Sequence, residues 1–344
     1  MPKLSGGRGK SMTMTRATFV KQMQHHQVRW ASANGLHPAA TENGGSRDHV
    51  LLHEHRKQNL YKPDWWEMIS GKEHRWARSL TSSQCFAVNL FAPLVDDPAL
   101  ALAVFKRLYP HRVGSGISVE VCLEFAPAET GKWLGEAGQT TQVDACFIVS
   151  RGDTQIGFVL VEVKLAETGF GTCRGAKPAD KNGSGNPDPI RCKDFGQVRR
   201  SPQTDCWMVT RHRRRYWDWL SDTDWFDLNH VPDAEGCPFR DGVYQLMRNA
   251  VLARALMVEA GAEWAEVAVC VHAGNHVAHQ LKYPVAGTAD ALDAARRIAP
   301  KAGFEVLTPA AIVSAIEASN PSCSEWARWM EERYGLIALI AERA

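Results

Sequence analysis

The sequence predicts an α/β fold in which a mixed β-sheet is flanked by helices. Two observations predict it. Three consecutive strand-like segments follow two helical segments in the first half of the chain, and a long helical segment and a buried strand follow a loop-rich insertion in the second half. Because the order is helix, strand, strand, strand, insertion, helix, strand, a sheet layered between helices is the natural arrangement.

The helices before the sheet are indicated by apolar spacing and by their ends. The segment "KEHRWARSLTSSQCFAVNLFAPL" carries Trp76 and Phe86 among apolar residues at helical spacing, and its helix is expected to stop at Pro93. A second helix is expected over "DPALALAVFKRLY", with Asp97 at its start.

The three strands follow directly. In "ISVEVCLEFAP", Val119 and Val121 alternate with Glu120 and Cys122, which is typical of a half-buried strand. The next strands are expected in "TQVDACFIV" and "IGFVLVEVKLA". The residues between them, "SRGDTQ", predict a hairpin turn in which Gly152 supplies backbone freedom.

The second half of the chain predicts one more helix–strand pair and a helical tail. A helix is expected over "DGVYQLMRNAVLARALMVEA", with Asp241 as its N-cap, and "AEVAVCVHA" is expected to be a buried strand. In the tail, "FEVLT" predicts a short strand, and "PAAIVSAIEA" and "SEWARWMEERYGLIALIAE" predict two helices.

Composition suggests how these elements are divided. Residues 1–45 are basic, rich in Gly and Ser, and lack steady apolar periodicity, so a mostly flexible arm with one short helix near "TFVKQMQ" is expected. Residues 46–344 are expected to form a single domain. It would carry a long, Gly- and Pro-rich insertion at 166–240 and a C-terminal extension at 280–344.

Charge and hydropathy exclude some classes of protein. No apolar run is long enough to span a bilayer, so a soluble, cytoplasmic protein is expected. The formal net charge of +2 does not by itself indicate a polyanionic partner, but the positive charges are clustered. One cluster in the insertion is interleaved with Trp and Tyr, which suits nucleic acid, although a solvated surface is the alternative. Its arginines are Arg199, Arg200, Arg211, Arg213, Arg214 and Arg215.

The nine cysteines are odd in number and scattered, which argues against a secreted disulfide scaffold. Four of them fall in or beside the insertion: Cys173, Cys192, Cys206 and Cys237. Four thiolates can form a closed tetrahedral zinc site, although no C-x₂-C pair is present. An iron–sulfur cluster is a further interpretation, but closely spaced cysteines are missing. Three histidines near residue 275 match no metal-site spacing and are expected on the surface or in a loop.

The stretch "FVLVEVKL" holds the chemically suggestive residues. Glu162 and Lys164 lie two apart and therefore share one face of their strand, while Val161, Val163 and Leu165 point to the other face. If the preceding hairpin turns near Gly152, Asp144 lies opposite Val161 or Glu162.

Two carboxylates side by side repel each other unless a cation lies between them, and a divalent metal with oxygen ligands satisfies both. Asp144, Glu162 and the carbonyl of Val163 are therefore candidate metal ligands, with Glu124 on the previous strand as a third carboxylate. Lys164 could orient a water or stabilise developing charge. A bound Mg²⁺ or Mn²⁺ would then support hydrolysis of a phosphodiester.

"VDACFIV" followed by "VEVK" resembles the PD-(D/E)XK nuclease superfamily, the restriction-endonuclease-like fold. Its αβββαβ core can be laid over residues 73–272, with Asp144, Glu162 and Lys164 matching the motif residues and Val143 in place of the motif proline. The segments "RSLTSSQCFAVNLF", "VEVKLAE" and "YQLMRN" further resemble a bacterial restriction-endonuclease-like subgroup.

The resemblance implies Mg²⁺-dependent cleavage of DNA, in restriction or antiviral defence. In the subgroup, the helix of "YQLMRN" packs beside the active site, which makes Gln245 a candidate catalytic contact and Arg248 a candidate phosphate ligand. Glu73 is a rival for the third carboxylate. A homodimer would bring two such sites to the two strands of DNA.

Three alternatives remain open at this point. The chain is either the nuclease just described, or a catalytically silent DNA-binding protein of the same fold, or a nuclease acting on RNA or branched DNA. A carboxylate–lysine enzyme acting on a small molecule is less consistent with the basic and aromatic insertion.

Overall fold

The computed structural model describes residues 16–36, 38–40, 46–138, 140–181, 183 and 185–337. Its strands are β1 (Pro38–Ala40), β2 (Ser46–Leu51), β3 (Ile117–Phe125), β4 (Val143–Arg151), β5 (Thr154–Lys164), β6 (Trp264–Val271), β7 (Gln280–Val285), β8 (Thr288–Asp290) and β9 (Gly303–Leu307). Its α-helices are α1 (Arg16–Ala33), α2 (Ser83–Val95), α3 (Pro98–Leu108), α4 (Thr130–Leu134), α5 (Phe195–Arg200), α6 (Pro202–Asp205), α7 (Trp207–Thr210), α8 (Tyr216–Leu220), α9 (Tyr244–Glu259), α10 (Ala291–Ile298), α11 (Pro309–Ser319) and α12 (Ser324–Tyr334).

A five-stranded mixed sheet forms the centre, in the order β3-β4-β5-β6-β9. The pairs β3–β4 and β4–β5 are antiparallel, whereas β5–β6 and β6–β9 are parallel. The predicted mixed α/β fold is therefore confirmed. The short strand predicted in the tail, β9, is an edge strand of this same sheet.

The β4–β5 hairpin fixes the register that matters for the candidate site. The two strands turn at Gly152, whose φ is +58°, as the sequence predicted. Near the turn Ser150 pairs with Gln155, but further along Ala145 pairs with Val161, because Ile156 is an extra residue on β5. This bulge shifts the register by one residue, so that Asp144 falls opposite Glu162 rather than Val161.

The sheet separates two apolar layers. On one face Val159, Val161 and Val163 pack with α2, α3 and the C-terminal helices. On the other face Phe158 and Leu160 pack with α9, α10 and the insertion. Because side chains alternate along a strand, Glu162 and Lys164 point to the second face.

The first core helix begins later than predicted. α2 starts at Ser83, where the Ser82 side chain caps it by accepting a hydrogen bond from the backbone N–H of Cys85 at 3.3 Å. It also continues through Pro93, which the sequence predicted as its end. A proline leaves the carbonyl four residues earlier without its helical partner, and here the indole N–H of Trp326 donates to that carbonyl, Asn89 O, at 2.9 Å.

Part of the predicted N-terminal arm forms a helix. Residues 1–15, 37 and 41–45 lie outside the described residues, but α1 covers eighteen residues of the predicted arm. Its Phe19 and Met23 are buried in the core, and the Gln27 side chain donates to the carbonyl of Arg333 at 2.6 Å. α1 contains the short helix expected near "TFVKQMQ" but is longer than expected, and apolar residues spaced four apart pack it against the core.

The insertion was predicted to be a long loop of little periodicity. Its described residues instead form short helices, and Phe170, Phe195 and Trp217 join the apolar layer under α9. The helix that follows begins at Tyr244 rather than at the predicted N-cap Asp241. The two predicted helices of the tail are present as α11 and α12, but α12 ends at Tyr334, where Gly335 adopts a left-handed conformation, and residues 338–344 lie outside the described residues.

Among the described residues, no single helix is long and apolar enough to cross a membrane. The bent pair formed by α2 and α3 meets the criterion by length and composition only.

Candidate active site

An open cleft of about 1010 Å³ lies at the end of β5, between α9 and the segment that precedes α2. Asp144, Glu162 and Lys164 line it, as do Glu124, Gln245 and Arg248. The structure therefore brings the predicted catalytic side chains and the predicted carboxylates to one place.

Three carboxylates form a row across three neighbouring strands. Leu123 and Phe125 pair with Ala145 and Val143, which sets Glu124 beside Asp144. The β4–β5 register then sets Glu162 beside Asp144. The Oδ2 atom of Asp144 accepts a hydrogen bond from the backbone N–H of Val163 at 2.7 Å, which fixes this carboxylate against β5.

Glu162 is held from two sides. Its Oε1 accepts from the Lys164 ammonium at 2.6 Å, and its Oε2 accepts from the Asn249 amide of α9 at 2.9 Å. Both members of the Glu162–Lys164 pair are about 95% buried, with 4% and 5% of their surfaces exposed. Such a pair tolerates burial because its charges and hydrogen bonds are satisfied together.

The electrostatics of the row follow from this crowding. Burial and then the charge of Glu162 raise the pKa of Asp144 well above its usual value, against the opposing effect of Lys164. Burial disfavours the ammonium form of Lys164, but the carboxylates of Glu162, Glu167 and Asp144 outweigh it and raise its pKa. The cleft thus holds more negative than positive charge next to Asp144, which is an environment that favours a bound cation.

Glu124 has an unusual backbone. Its φ is +48°, a left-handed conformation that costs a non-glycine residue about 1–3 kcal/mol and is concentrated at functional sites. Its side chain is buried and accepts hydrogen bonds from the amides of Gln84, at 2.7 Å, and of Gln142. These hydrogen bonds hold the Glu124 carboxylate in place beside Asp144.

The predicted contacts from α9 are placed at the wall of the cleft. Gln245 lies against Gly171, and its backbone N–H donates to the carbonyl of Phe170 at 2.8 Å. Arg248 donates to the Thr141 hydroxyl at 2.9 Å and lies 3.6 Å from the buried carboxylate of Glu136. Arg248 is thus anchored within the protein as well as facing the cleft.

The basic cluster of the insertion does not line this cleft. Of the arginines predicted to bind nucleic acid, Arg248 alone is among the lining residues described. Arg199 and Arg200 lie 3.4 Å and 3.8 Å from the carboxylate of Asp233, and Arg214 donates to the carbonyl of Gly135 at 3.3 Å. Arg211 and Arg213 are exposed.

Some residues of the cleft were not predicted from the sequence. Lys72, Arg75, Gln84 and Glu167 line it. Gln84 could have been noticed as a polar residue in an apolar helix, since such a residue requires a partner when buried. Lys72 and Arg75 carried no such signal, because their segment was taken as part of a helix.

Two other predicted elements have clear positions. Glu73 lines the cleft, but it precedes α2 rather than beginning a helix, and it accepts from the indole of Trp66 at 3.2 Å. The four insertion cysteines lie outside the residues that line the cleft. Of the three histidines expected on the surface or in a loop, His272 lies in the loop that follows β6 and is buried, with 1% of its surface exposed.

Close grouping of metal-ligating atoms occurs elsewhere. Among the described residues, the group of three side chains whose ligand atoms all lie within 4.8 Å is His111, Glu266 and Glu305. Arg112 already donates to Glu266 at 2.7 Å, so its guanidinium balances the charge of that carboxylate.

Comparison with known proteins gives one positive result. No curated protein and no solved structure matches the chain. A family model described as "Restriction Endonuclease associating with ARP" matches residues 27–335, which include the whole central sheet and every residue that lines the cleft except Val20. The chain therefore belongs to the family of restriction endonucleases associating with ARP.

Proposed function

We propose that this protein is a metal-dependent endonuclease that hydrolyses phosphodiester bonds of DNA, in restriction or antiviral defence. The observation that carries the proposal is the convergence of Asp144, Glu162 and Lys164 at the floor of one open cleft. Family membership supports a nuclease in general, and the arrangement of these three residues supports the PD-(D/E)XK type.

The oxygen ligands present suit a divalent cation, and a bound ion would draw Glu124, Asp144 and Glu162 together, because their ligand atoms do not form a group within 4.8 Å of one another in the described part of the chain. Asp144 and Glu162, with the Val163 carbonyl and Glu124, would hold Mg²⁺ or Mn²⁺, for which oxygen ligands are suited. The supporting observation is the row formed by the carboxylates of Glu124, Asp144 and Glu162 on three neighbouring strands, beside the ammonium of Lys164. When bound, such an ion lowers the pKa of a coordinated water and offsets charge on the phosphate.

Lys164 has a role that follows from its surroundings. Since neighbouring carboxylates raise its pKa, it stays protonated and does not act as a general base at neutral pH. It can donate a hydrogen bond to an attacking water or to a phosphate oxygen that gains charge in the transition state. Gln245 on the cleft wall would position the same water or the phosphate.

The shape and charge of the cleft favour a nucleic acid. Lys72, Arg75 and Arg248 line it together with the catalytic residues, and cations of this kind contact phosphates. Arg199, Arg200, Arg211, Arg213 and Arg214 would extend the contact outside the cleft. Two copies would cut both strands, and the family description adds ARP as a candidate partner.

The direct test uses supercoiled plasmid DNA, Mg²⁺ and three versions of the protein. The unchanged chain should nick or linearise the plasmid, and chelation of the metal should stop the reaction. Lys164→Ala should slow cleavage by about 10²–10³-fold, which is the usual cost of losing one group that stabilises transition-state charge. Lys106→Ala, which removes an exposed lysine on α3, is the matched control and should leave the rate unchanged.

Parallel reactions with RNA and with branched DNA identify the substrate class. Cleavage of RNA or junctions alone would replace DNA in the proposal. If no nucleic acid is cut, while DNA is still bound with equal affinity by the unchanged chain and Lys164→Ala, the protein is a DNA-binding member without catalysis.

A further inference from the structure

The four cysteines of the insertion are far apart in sequence, but the segments that carry them pack together. Their segments surround one turn, residues 174–176, which follows Cys173 and packs against the segments of the other three cysteines. The thiol of Cys192 donates to the carbonyl of Gly175 at 3.4 Å, and the backbone N–H of Cys237 donates to the carbonyl of Cys192 at 2.7 Å. Cys206 directly precedes Trp207, which contacts Gly175.

Two of these cysteines occupy equivalent turns. Cys173 and Cys237 each precede a short 3₁₀ turn and have nearly the same backbone angles, φ −58° and ψ 131° against φ −57° and ψ 123°.

The two turns lie side by side in the insertion. The turns also lock together, since the N–H of Cys173 donates to the carbonyl of Phe239 at 3.2 Å. All nine cysteines are free thiols, so no disulfide accounts for the arrangement.

From this convergence we propose that Cys173, Cys192, Cys206 and Cys237 hold a structural zinc ion that fastens the insertion to the body of the protein. Four sulfur ligands with no open position match the closed tetrahedral sites that zinc forms in a structural role. Magnesium and calcium prefer oxygen ligands and would not take this site.

Zinc binding requires a small local adjustment. No three of these four sulfurs lie within 4.8 Å of one another among the described residues. The proposal therefore requires the cysteine side chains to rotate towards one another on the turns that carry them. The site is independent of the proposed catalytic cleft, so its test does not depend on DNA cleavage.

The experiment is elemental analysis of the purified full-length chain after dialysis against metal-free buffer. About one zinc ion per chain is expected. Cys206→Ser, which changes a partly buried ligand, should lower the zinc content several-fold. Cys323→Ser, at a partly buried cysteine that packs with the opposite apolar layer, should leave it unchanged. Lys164→Ala should retain zinc even though the proposed catalysis is lost.

A second readout uses the unchanged protein, so that a variant that fails to fold cannot obscure the result. Thiols of the native chain are alkylated before and after treatment with a strong zinc chelator. Four more cysteines should react after the chelator has removed the zinc than before. Replacement of zinc with Co²⁺ should give the absorption of a tetrahedral thiolate complex. Absence of zinc together with no chelator effect on alkylation would overturn the proposal, as would iron in place of zinc.

Discussion

At the scale of single residues, the candidate site depends on a buried charge balance. Lys164 and Asn249 hold the two oxygens of Glu162, and the N–H of Val163 holds Asp144. Each carboxylate is therefore oriented before any substrate arrives. Such preorganisation is what a charged transition state requires, because the protein does not have to rearrange during the reaction.

Asn249→Ala tests this orientation. It removes the amide that donates to Glu162 Oε2 and leaves Lys164 in place. Loss of a residue that orients a metal ligand costs about 10–100-fold in activity or metal affinity, so cleavage should require more Mg²⁺. The measurement is the cleavage rate over a series of Mg²⁺ concentrations. Glu259→Ala, at the exposed end of α9, is the control. An unchanged Mg²⁺ requirement in a folded Asn249→Ala protein would contradict the orienting role.

Glu124 provides a separate test, because its backbone strain and its carboxylate can be distinguished. At φ +48°, glycine is less strained than alanine, so Glu124→Gly should be about 1 kcal/mol more stable than Glu124→Ala. Both variants should cleave DNA more slowly, since both lack the carboxylate.

Thermal unfolding of the two variants measures the difference in stability. Glu120→Gly and Glu120→Ala are the matched controls, because Glu120 is an exposed residue of the same strand and is not among the positive-φ residues. There the alanine variant should be the more stable of the two. If alanine is also favoured at residue 124, the backbone strain is absent in solution.

The sequence was sufficient to place those site residues whose positions depend on one strand or one hairpin. Glu162 and Lys164 could be placed on one face because they lie two apart in an apolar strand, and Asp144 could be placed beside them from the hairpin. Gln84, Glu167 and Lys72 could not be assigned in this way, because their position at the cleft depends on how separate segments pack. The roles given to all of these residues remain proposals.

At the scale of elements, the sequence predicted strands better than the boundaries of helices. Alternation and Gly152 were sufficient for β3, β4 and β5. The start of α2 was missed because apolar residues before Ser82 imitate helical spacing while forming turns. Its passage through Pro93 depends on a hydrogen bond from Trp326, more than two hundred residues later in the chain.

The parallel pairing of β5 with β6 has a local requirement at Gly157. This residue lies opposite Trp264, and a side-chain carbon at residue 157 would overlap the indole ring. Gly157→Ala should therefore lower the free energy of unfolding by about 1–3 kcal/mol, the usual cost of overpacking.

Chemical denaturation measures that loss. Gly114→Ala is the control, because a side-chain carbon there would meet no atom closer than 3.9 Å. Equal stability of the unchanged chain and Gly157→Ala would mean that Trp264 moves freely and does not fix the pairing.

At the scale of the whole molecule, segments from the two ends of the chain close over one face of the sheet. α1 and α12 are joined by the hydrogen bond from Gln27 to Arg333, and the Arg333 guanidinium lies over the rings of Trp30 and Trp329 at 4.5 Å and 5.0 Å. Sequence patterns suggested α12 but not this closure, since it joins residues about three hundred positions apart. The sheet and the cleft are therefore supported by elements outside the predicted core.

His272 lies at this closure and makes the stability of the molecule depend on pH. Its Nε2 lies 3.0 Å from the carbonyl of Tyr334, and its Nδ1 accepts from the N–H of Gly274 at 3.1 Å, which is the pattern of a neutral ring. Burial lowers its pKa from 6.5 to about 4, with His26 nearby as a further unfavourable charge. The unfolded chain therefore binds a proton below pH 6.5 that the folded chain excludes until about pH 4.

The contribution of His272 to the free energy of unfolding is therefore fully present above pH 6.5. It decreases by about 3 kcal/mol in total as the pH falls towards 4. Equilibrium unfolding in urea between pH 7.5 and 4 measures this slope. His272→Gln keeps a donor and an acceptor but cannot be protonated in this range, so its slope should be shallower by that amount. His53→Gln, at an exposed position, should keep the slope of the unchanged chain. Parallel slopes in all three proteins would show that His272 titrates in the folded state as it does in the unfolded state.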